Sequence, residues 1–232
     1  MQNQNEKTGI GEGINEFVQK NRKPIFVSLV MVVALLVISI AVLSLMDMLR
    51  GRAIVAVEEF SSRYESLRSS IHEEHADDED EHSHGDVEEL LAELESFAGK
   101  NSGYAGARAW TLVGNIHNGR KEWAEAEAAW VKAAEKSEKN YLGPVAWFNA
   151  AVAAEEQEKA EQAIDYYTRS LSSPADFPSA PRAQFSIGRL HESLNQKNEA
   201  IAAYNSVISG WPYDRVWTNL AYSKIIFLEE VQ

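Results

Sequence analysis

The chain has 232 residues, a formal net charge of -13 and no cysteine. That charge argues against a nucleic-acid-binding surface and against anionic-lipid binding through the body of the protein. The missing thiols exclude disulfides, thiolate metal centres, iron–sulfur clusters, cysteine nucleophiles and a lipid-modified cysteine.

In chain order, a polar tail (1–23) comes first, with Asn15-Glu16-Phe17-Val18 able to form one interfacial helical turn. An apolar run from Ile25 to Met46 follows, interrupted only by Ser28, Ser39 and Ser44. As a helix it rises about 33 Å, the thickness of a hydrocarbon core, so 24–46 is expected to be a transmembrane helix. A cleaved signal peptide would be shorter and followed by small residues; Met46-Asp47-Met48-Leu49-Arg50 stands there instead. Lys20, Arg22 and Lys23 outnumber Arg50 and Arg52 across the run. The bias places the N-terminus in the cytoplasm and everything after the anchor on the outer face of the inner membrane.

Between 47 and 71, Ile54, Val55, Val57, Phe60, Tyr64 and Leu67 recur at helical spacing, predicting a membrane-proximal amphipathic helix. The segment 72–86 combines His72, His75, His82 and His84 with seven acids from Glu73 to Glu81. Charges this dense repel, so a flexible loop is expected. Imidazoles among carboxylates could take up zinc, nickel or copper, or change charge in mild acid. A metal site needs imposed geometry, however, and a solvated acidic linker is the simpler reading. From Asp86 the helical period returns through Val87, Leu90, Leu91, Leu94 and Phe97, with Asp86 and Glu89 as a capping pair, until Gly99.

The remainder repeats. Trp110, Val113, Gly114 and His117 precede Ala126, Trp130 and Ala133; Trp147, Ala150, Ala151 and Ala154 precede Ala163, Tyr167 and Ser170; Phe185, Ile187, Gly188 and His191 precede Ala200, Tyr204 and Val207. Ala126, Ala163 and Ala200 are 37 residues apart. Each unit reads as two antiparallel helices. A tiny residue (Gly114, Ala151 or Gly188) lets them approach, and an aromatic (Trp130, Tyr167 or Tyr204) fills the space toward the next unit. Such units cannot cover their apolar faces alone and stack. Trp217, Leu220 and Ala221 repeat only the first-helix half, predicting a final helix that closes the stack. The expected units are 107–140, 144–177 and 181–213, with a capping helix over 214–230.

These positions resemble the tetratricopeptide repeat, although the period is 37 rather than 34, Glu138 stands at a proline position and Ala154 at a large-residue position. The resemblance implies an all-α chain, an N-terminal membrane helix followed by a helical-hairpin solenoid over 87–232. Asn15-Glu16-Phe17-Val18-Gln19-Lys20-Asn21 and Phe97-Ala98-Gly99-Lys100-Asn101-Ser102-Gly103-Tyr104 further resemble the bacterial ancillary subunit of the Sec translocon. That family implies a periplasmic domain that associates with translocon subunits and folding factors. The insertion at 72–85 departs from it. A related periplasmic tetratricopeptide group coordinates cell division with envelope synthesis, and a general envelope scaffold is the alternative, ahead of a metal- or acid-sensing module.

The repeat register also nominates a protein-binding groove along the first helices: Arg108, Thr111 and Asn115; Phe148, Asn149 and Val152; Arg182, Phe185 and Arg189; Arg215, Thr218 and Tyr222. Asn115, Asn149 and Arg182 partly fit a clamp for a peptide's terminal carboxylate, with Thr111 where a lysine is expected. Mixed Arg and Phe character suits a segment carrying acidic and apolar groups. His117 and His191 occupy equivalent positions and read as core-edge residues. No Ser/His/Asp arrangement, glycine-rich phosphate loop or paired-carboxylate motif is visible, so neither enzymatic activity nor a cofactor is expected. The oligomeric state is left open.

Overall fold

The computed structural model describes residues 14–15, 17–73, 81–137, 140–172 and 177–230. Among them there is no strand. The helices are α1 (Arg22–Glu73), α2 (Glu81–Lys100), α3 (Gly103–Gly119), α4 (Trp123–Lys136), α5 (Leu142–Glu156), α6 (Ala160–Leu171), α7 (Ala180–Ser193), α8 (Lys197–Gly210) and α9 (Arg215–Glu230). The chain divides into two compact units, one ending at Arg52 and one running from Ala53 to the C-terminus.

The first unit contains the apolar run. Its large side chains from Ile25 to Leu49 are all exposed, and α1 holds the one stretch among the described residues long and apolar enough to cross a membrane. The serines do not interrupt it. Ser28 Oγ donates to the carbonyl of Pro24 and Ser39 Oγ to that of Leu35 (2.8 Å), so these hydroxyls are satisfied inside the helix.

The second unit is a stack in which each helix from α2 to α9 packs against the next in the chain, with α3 also touching α5 and α7 touching α9. The hairpins α3–α4, α5–α6 and α7–α8 are the three repeats. The close approach expected at their small residues is present. A Cβ on Gly114 would lie 2.6 Å from the Trp130 ring, and one on Gly188 would lie 2.5 Å from the Tyr204 ring. Ala126, Ala151, Ala163 and Ala200 are fully buried.

The turn inside each hairpin is the same structure three times. Lys121, Glu158 and Asn195 have φ of 60°, 60° and 58°. In the first hairpin Lys121 N–H donates to the carbonyl of Asn118 (3.0 Å) and Glu122 N–H to that of His117 (2.9 Å). Glu158 and Lys159 repeat this pair on Glu155 and Ala154, and Asn195 and Gln196 on Glu192 and His191. This is the Schellman ending, in which a left-handed residue lets the last carbonyls of a helix be capped by the backbone that follows.

The stack begins before the repeats. Val57 is fully buried in one core with Leu90, Leu91, Leu94 and Ala98 of α2, Phe60 and Tyr64 pack on it, and the Phe60 and Phe97 rings meet edge-on at 5.4 Å. Ala53 onward in α1 therefore belongs to the folded body. The expected loop 72–86 also differs: α1 continues through Glu73 and α2 starts at Glu81, five residues before the expected cap at Asp86. Residues 74–80 lie outside the described residues.

The final helix closes the stack with its inner side. Thr218 and Ala221 are buried against the stack, but Val216, Leu220, Tyr222, Ile226 and Phe227 are exposed. Its outer side carries these apolar side chains among Arg215, Asn219, Ser223, Glu229 and Glu230.

Candidate functional site: the first-helix face of the stack

Helices α3, α5, α7 and α9 are the first helices of successive units, and their registers decide which side chains reach solvent. Thr111, Phe148, Phe185 and Thr218 each lie three residues before Gly114, Ala151, Gly188 and Ala221. A spacing of three keeps two residues on one helix face, here the face that meets the second helices. Thr111, Phe148 and Thr218 are consequently buried. Thr111 donates its hydroxyl back to the Ala107 carbonyl at 2.9 Å and Thr218 to that of Asp214 at 2.8 Å. Phe148 meets Tyr167 and Phe177 edge-on at 5.3 and 5.7 Å. Phe185 is half-buried between Tyr204 and Trp217, with ring centroids 5.1 and 5.4 Å away. Thr111, Phe148 and Thr218 are core residues, which corrects their expected place in a groove, and Phe185 lies at the core's edge.

The flanking registers remain accessible. Arg108, Arg182 and Arg215 occupy one of them, with Arg108 half-buried and the other two exposed. The Arg182 guanidinium lies over the Phe148 ring, 5.1 Å from its centroid, which holds the cation in place while leaving its charge available. Asn115, Val152, Arg189 and Tyr222 occupy the other register, and Asn149 is half-buried beside them in α5. Arg189 is not a free cation, because it pairs with Glu155 of the preceding unit. A terminal-carboxylate clamp therefore loses Thr111 to the core, while Asn115, Asn149 and Arg182 stay reachable.

Glu155 and Glu192 mark a second repeated device that spacing alone did not reveal. Tyr167 donates to Glu155 at 2.6 Å and Tyr204 donates to Glu192. The next first helix then supplies a cation to each carboxylate, Arg189 to Glu155 and Lys224 to Glu192 at 2.9 Å. Burial, followed by the hydrogen bond to the carboxylate, pushes both phenols above their usual range. The equivalent positions in the first unit are Trp130 and Asn118, and the buried Trp130 Nε1 has no hydrogen-bond partner among the described residues. A 37-residue comparison of tyrosines and glutamates could have found the device in the last two units.

His117 and His191 sit at matching places in their turns. The Nδ1 of His117 lies 2.5 Å from Glu122 and that of His191 lies 2.6 Å from Gln196, each five residues on. They brace helix ends. The side chains of His72, His75, His82 and His84 lie outside the described residues. Among the described residues, no group of three or more His, Asp or Glu side chains is placed to hold a metal.

Residues 123–176 and 148–215 match the tetratricopeptide repeat family. A "TPR repeat-containing protein" of Treponema pallidum (strain Nichols) is 33% identical over 221 residues, covering 92% of each chain. Among solved structures, the nearly identical TPR-like repeats of a Podosopora anserina kinesin-light-chain-type protein align over 74% of this chain and 85% of that one. They do so at 11% identity with a TM-score of 0.52, a likeness of fold alone. The Arabidopsis OM64 TPR domain aligns over 54% of this chain and 96% of that one, at 19% identity and a TM-score of 0.43. With hairpins, turns and register in place along the same residues, this chain belongs to the family of tetratricopeptide-repeat proteins.

Proposed function

We propose that the chain is a membrane-anchored scaffold whose first-helix face holds another protein near the inner membrane, as an ancillary subunit of the Sec translocon that links it to periplasmic folding factors. A tetratricopeptide stack is a protein-interaction scaffold, and its work is non-covalent. The observation that carries the rest is the shared register of Arg108, Arg182 and Arg215 on an otherwise acidic chain. Guanidinium groups at this register in the first and third units and in the final helix, with Val145 at the same place in the second unit, favour an acidic, extended or helical segment laid along the stack. The exposed apolar stretch of α1 supports anchoring through 24–46, with the N-terminus cytoplasmic and the stack periplasmic. Resistance to carbonate extraction and release by detergent tests the anchor; recovery in the aqueous fraction overturns it.

The groove is tested at Arg182. It is exposed, and its charge enters no ion pair among the described residues. Arg182→Glu should weaken capture of a bound partner about tenfold or more, as loss of a charge-assisted contact plus a repulsion does. Unchanged capture removes this face from consideration. In-cell crosslinking from positions 108, 182 and 215 separates the named role from a general envelope or division scaffold, since translocon subunits should dominate only under the first.

A further inference from the structure

We propose that α9 pairs antiparallel with α9 of a second copy of this chain, joining two stacks end to end about a twofold axis. The first helices α3, α5 and α7 each have a second helix of their own laid against them, whereas among the described residues α9 packs against α8 and α7. Its inner side is occupied by Thr218, Ala221 and the half-buried Trp217, Ile225 and Leu228. Its outer side carries Val216 (66% exposed), Leu220 (44%) and Phe227 (59%), with the small Ser223 between the last two.

Two features select a second copy as the occupant. The first is spacing. Residues 216, 220, 223 and 227 follow one another at intervals of four, three and four. The stripe therefore reads the same in both directions, so about a twofold axis each of its residues falls opposite another residue of the same stripe. Aligned about its centre, Phe227 of one copy falls on the shallow depression lined by Arg215, Val216, Asn219, Leu220 and Ser223 of the other, and Leu220 falls opposite Ser223. The second is charge. Arg215 and Glu230 stand at opposite ends of α9 on the same flank of the stripe, and neither has an ion-pair partner among the described residues. In an antiparallel pair like flanks face each other, so each Arg215 meets the other copy's Glu230 twice over. In a parallel pair unlike flanks would face each other, and Arg215 and Glu230, on the same flank at opposite ends of α9, would not meet. One 16-residue helix gives a seam of about 24 Å, less than a standard interface, so the pair is expected to form at micromolar or higher concentrations.

The absence of cysteine makes the register directly testable. Full-length chains carrying Val216→Cys and Phe227→Cys are mixed in detergent at about 100 µM, well inside the range expected for a small interface, and oxidised. The mixed disulfide should form, and neither variant should couple efficiently to itself. Like positions would lie about 16 Å apart along the axes, beyond the Cα separation a disulfide spans. Leu220→Asp should lower the yield about tenfold or more, the scale for a central apolar contact, with the helical circular dichroism retained. Arg215→Glu should lower the yield several-fold, and Arg215→Glu with Glu230→Arg should restore it. Self-coupling equal to mixed coupling, no product, a product with a different protein instead, or indifference to Leu220→Asp overturns the proposal.

Discussion

Glu158 shows how a single backbone angle is set by its neighbours rather than by its own preference. Its φ of 60° puts the side chain in a region that costs a non-glycine residue about 1–2 kcal/mol. The two Schellman hydrogen bonds, from Glu158 to Glu155 and from Lys159 to Ala154, hold it there. Glu158→Gly should raise stability by about 0.5–1 kcal/mol, part of the relief being offset by glycine's freedom in the unfolded chain. A denaturant midpoint that falls would mean the side chain contributes something the backbone account omits. Gly188 is the opposite case. Its φ is not unusual, but a Cβ would meet the Tyr204 ring at 2.5 Å, and Tyr204 is fully buried with no room to withdraw. Gly188→Ala should destabilise by about 1–3 kcal/mol, the range for overpacking. The sequence made Gly114 and Gly188 legible through their 37-residue register. It hid the turns, because Lys121 and Glu158 carry no signature of a left-handed conformation and only Asn195 does.

Between elements, the tyrosine–glutamate–cation links decide how the stack responds to alkali. Tyr167 and Tyr204 are pushed above the ordinary phenol range by burial and then by donation to Glu155 and Glu192. Tyr104 is pushed up to about 12 by its hydrogen bond with Tyr141 and then by burial. Each group has a higher pKa folded than unfolded, so its contribution is complete below the unfolded value. That contribution is lost as pH climbs through the folded one. Denaturant midpoints should therefore hold up to about pH 10, the unfolded phenol value, and decline above it. Phenolate absorbance from these three residues should appear only above the ordinary phenol range. Titration of all three within that range would show that the links do not survive in solution. At this scale the candidate face was only half legible. Repeat position put Arg108, Arg182, Arg215 and Asn115 on registers that the fold leaves accessible. It could not separate them from Thr111, Phe148 and Thr218, because that distinction depends on which face meets the second helices. The Arg189–Glu155 pair joins two units, and no reading within one unit contains it.

For the whole molecule, contact runs from each helix to its neighbours in the chain, so damage should spread by adjacency rather than everywhere at once. The three hydrophobic clusters follow that order: one from α1 through α2, α3 and α4 to Ala146 of α5, one from α4 to α8, and one uniting α7, α8 and α9. The last is the smallest, and Gly188 and Tyr204 lie inside it or against it. Gly188→Ala should therefore raise amide hydrogen exchange first in α7, α8 and α9. The middle cluster shares Ala183, Ile187 and Leu190 of α7, so α5 and α6 should change less. Peptides from α2 and α3, whose Leu94, Leu112 and Val113 are buried in the first cluster, should keep their protection. Exchange measured on the full-length chain below its unfolding midpoint reads this gradient peptide by peptide. An equal rise in α2 and α9 would mean the stack opens as one cooperative body. Confinement to the last three helices would mean that the end bearing α9 can loosen while α2 and α3 stay folded.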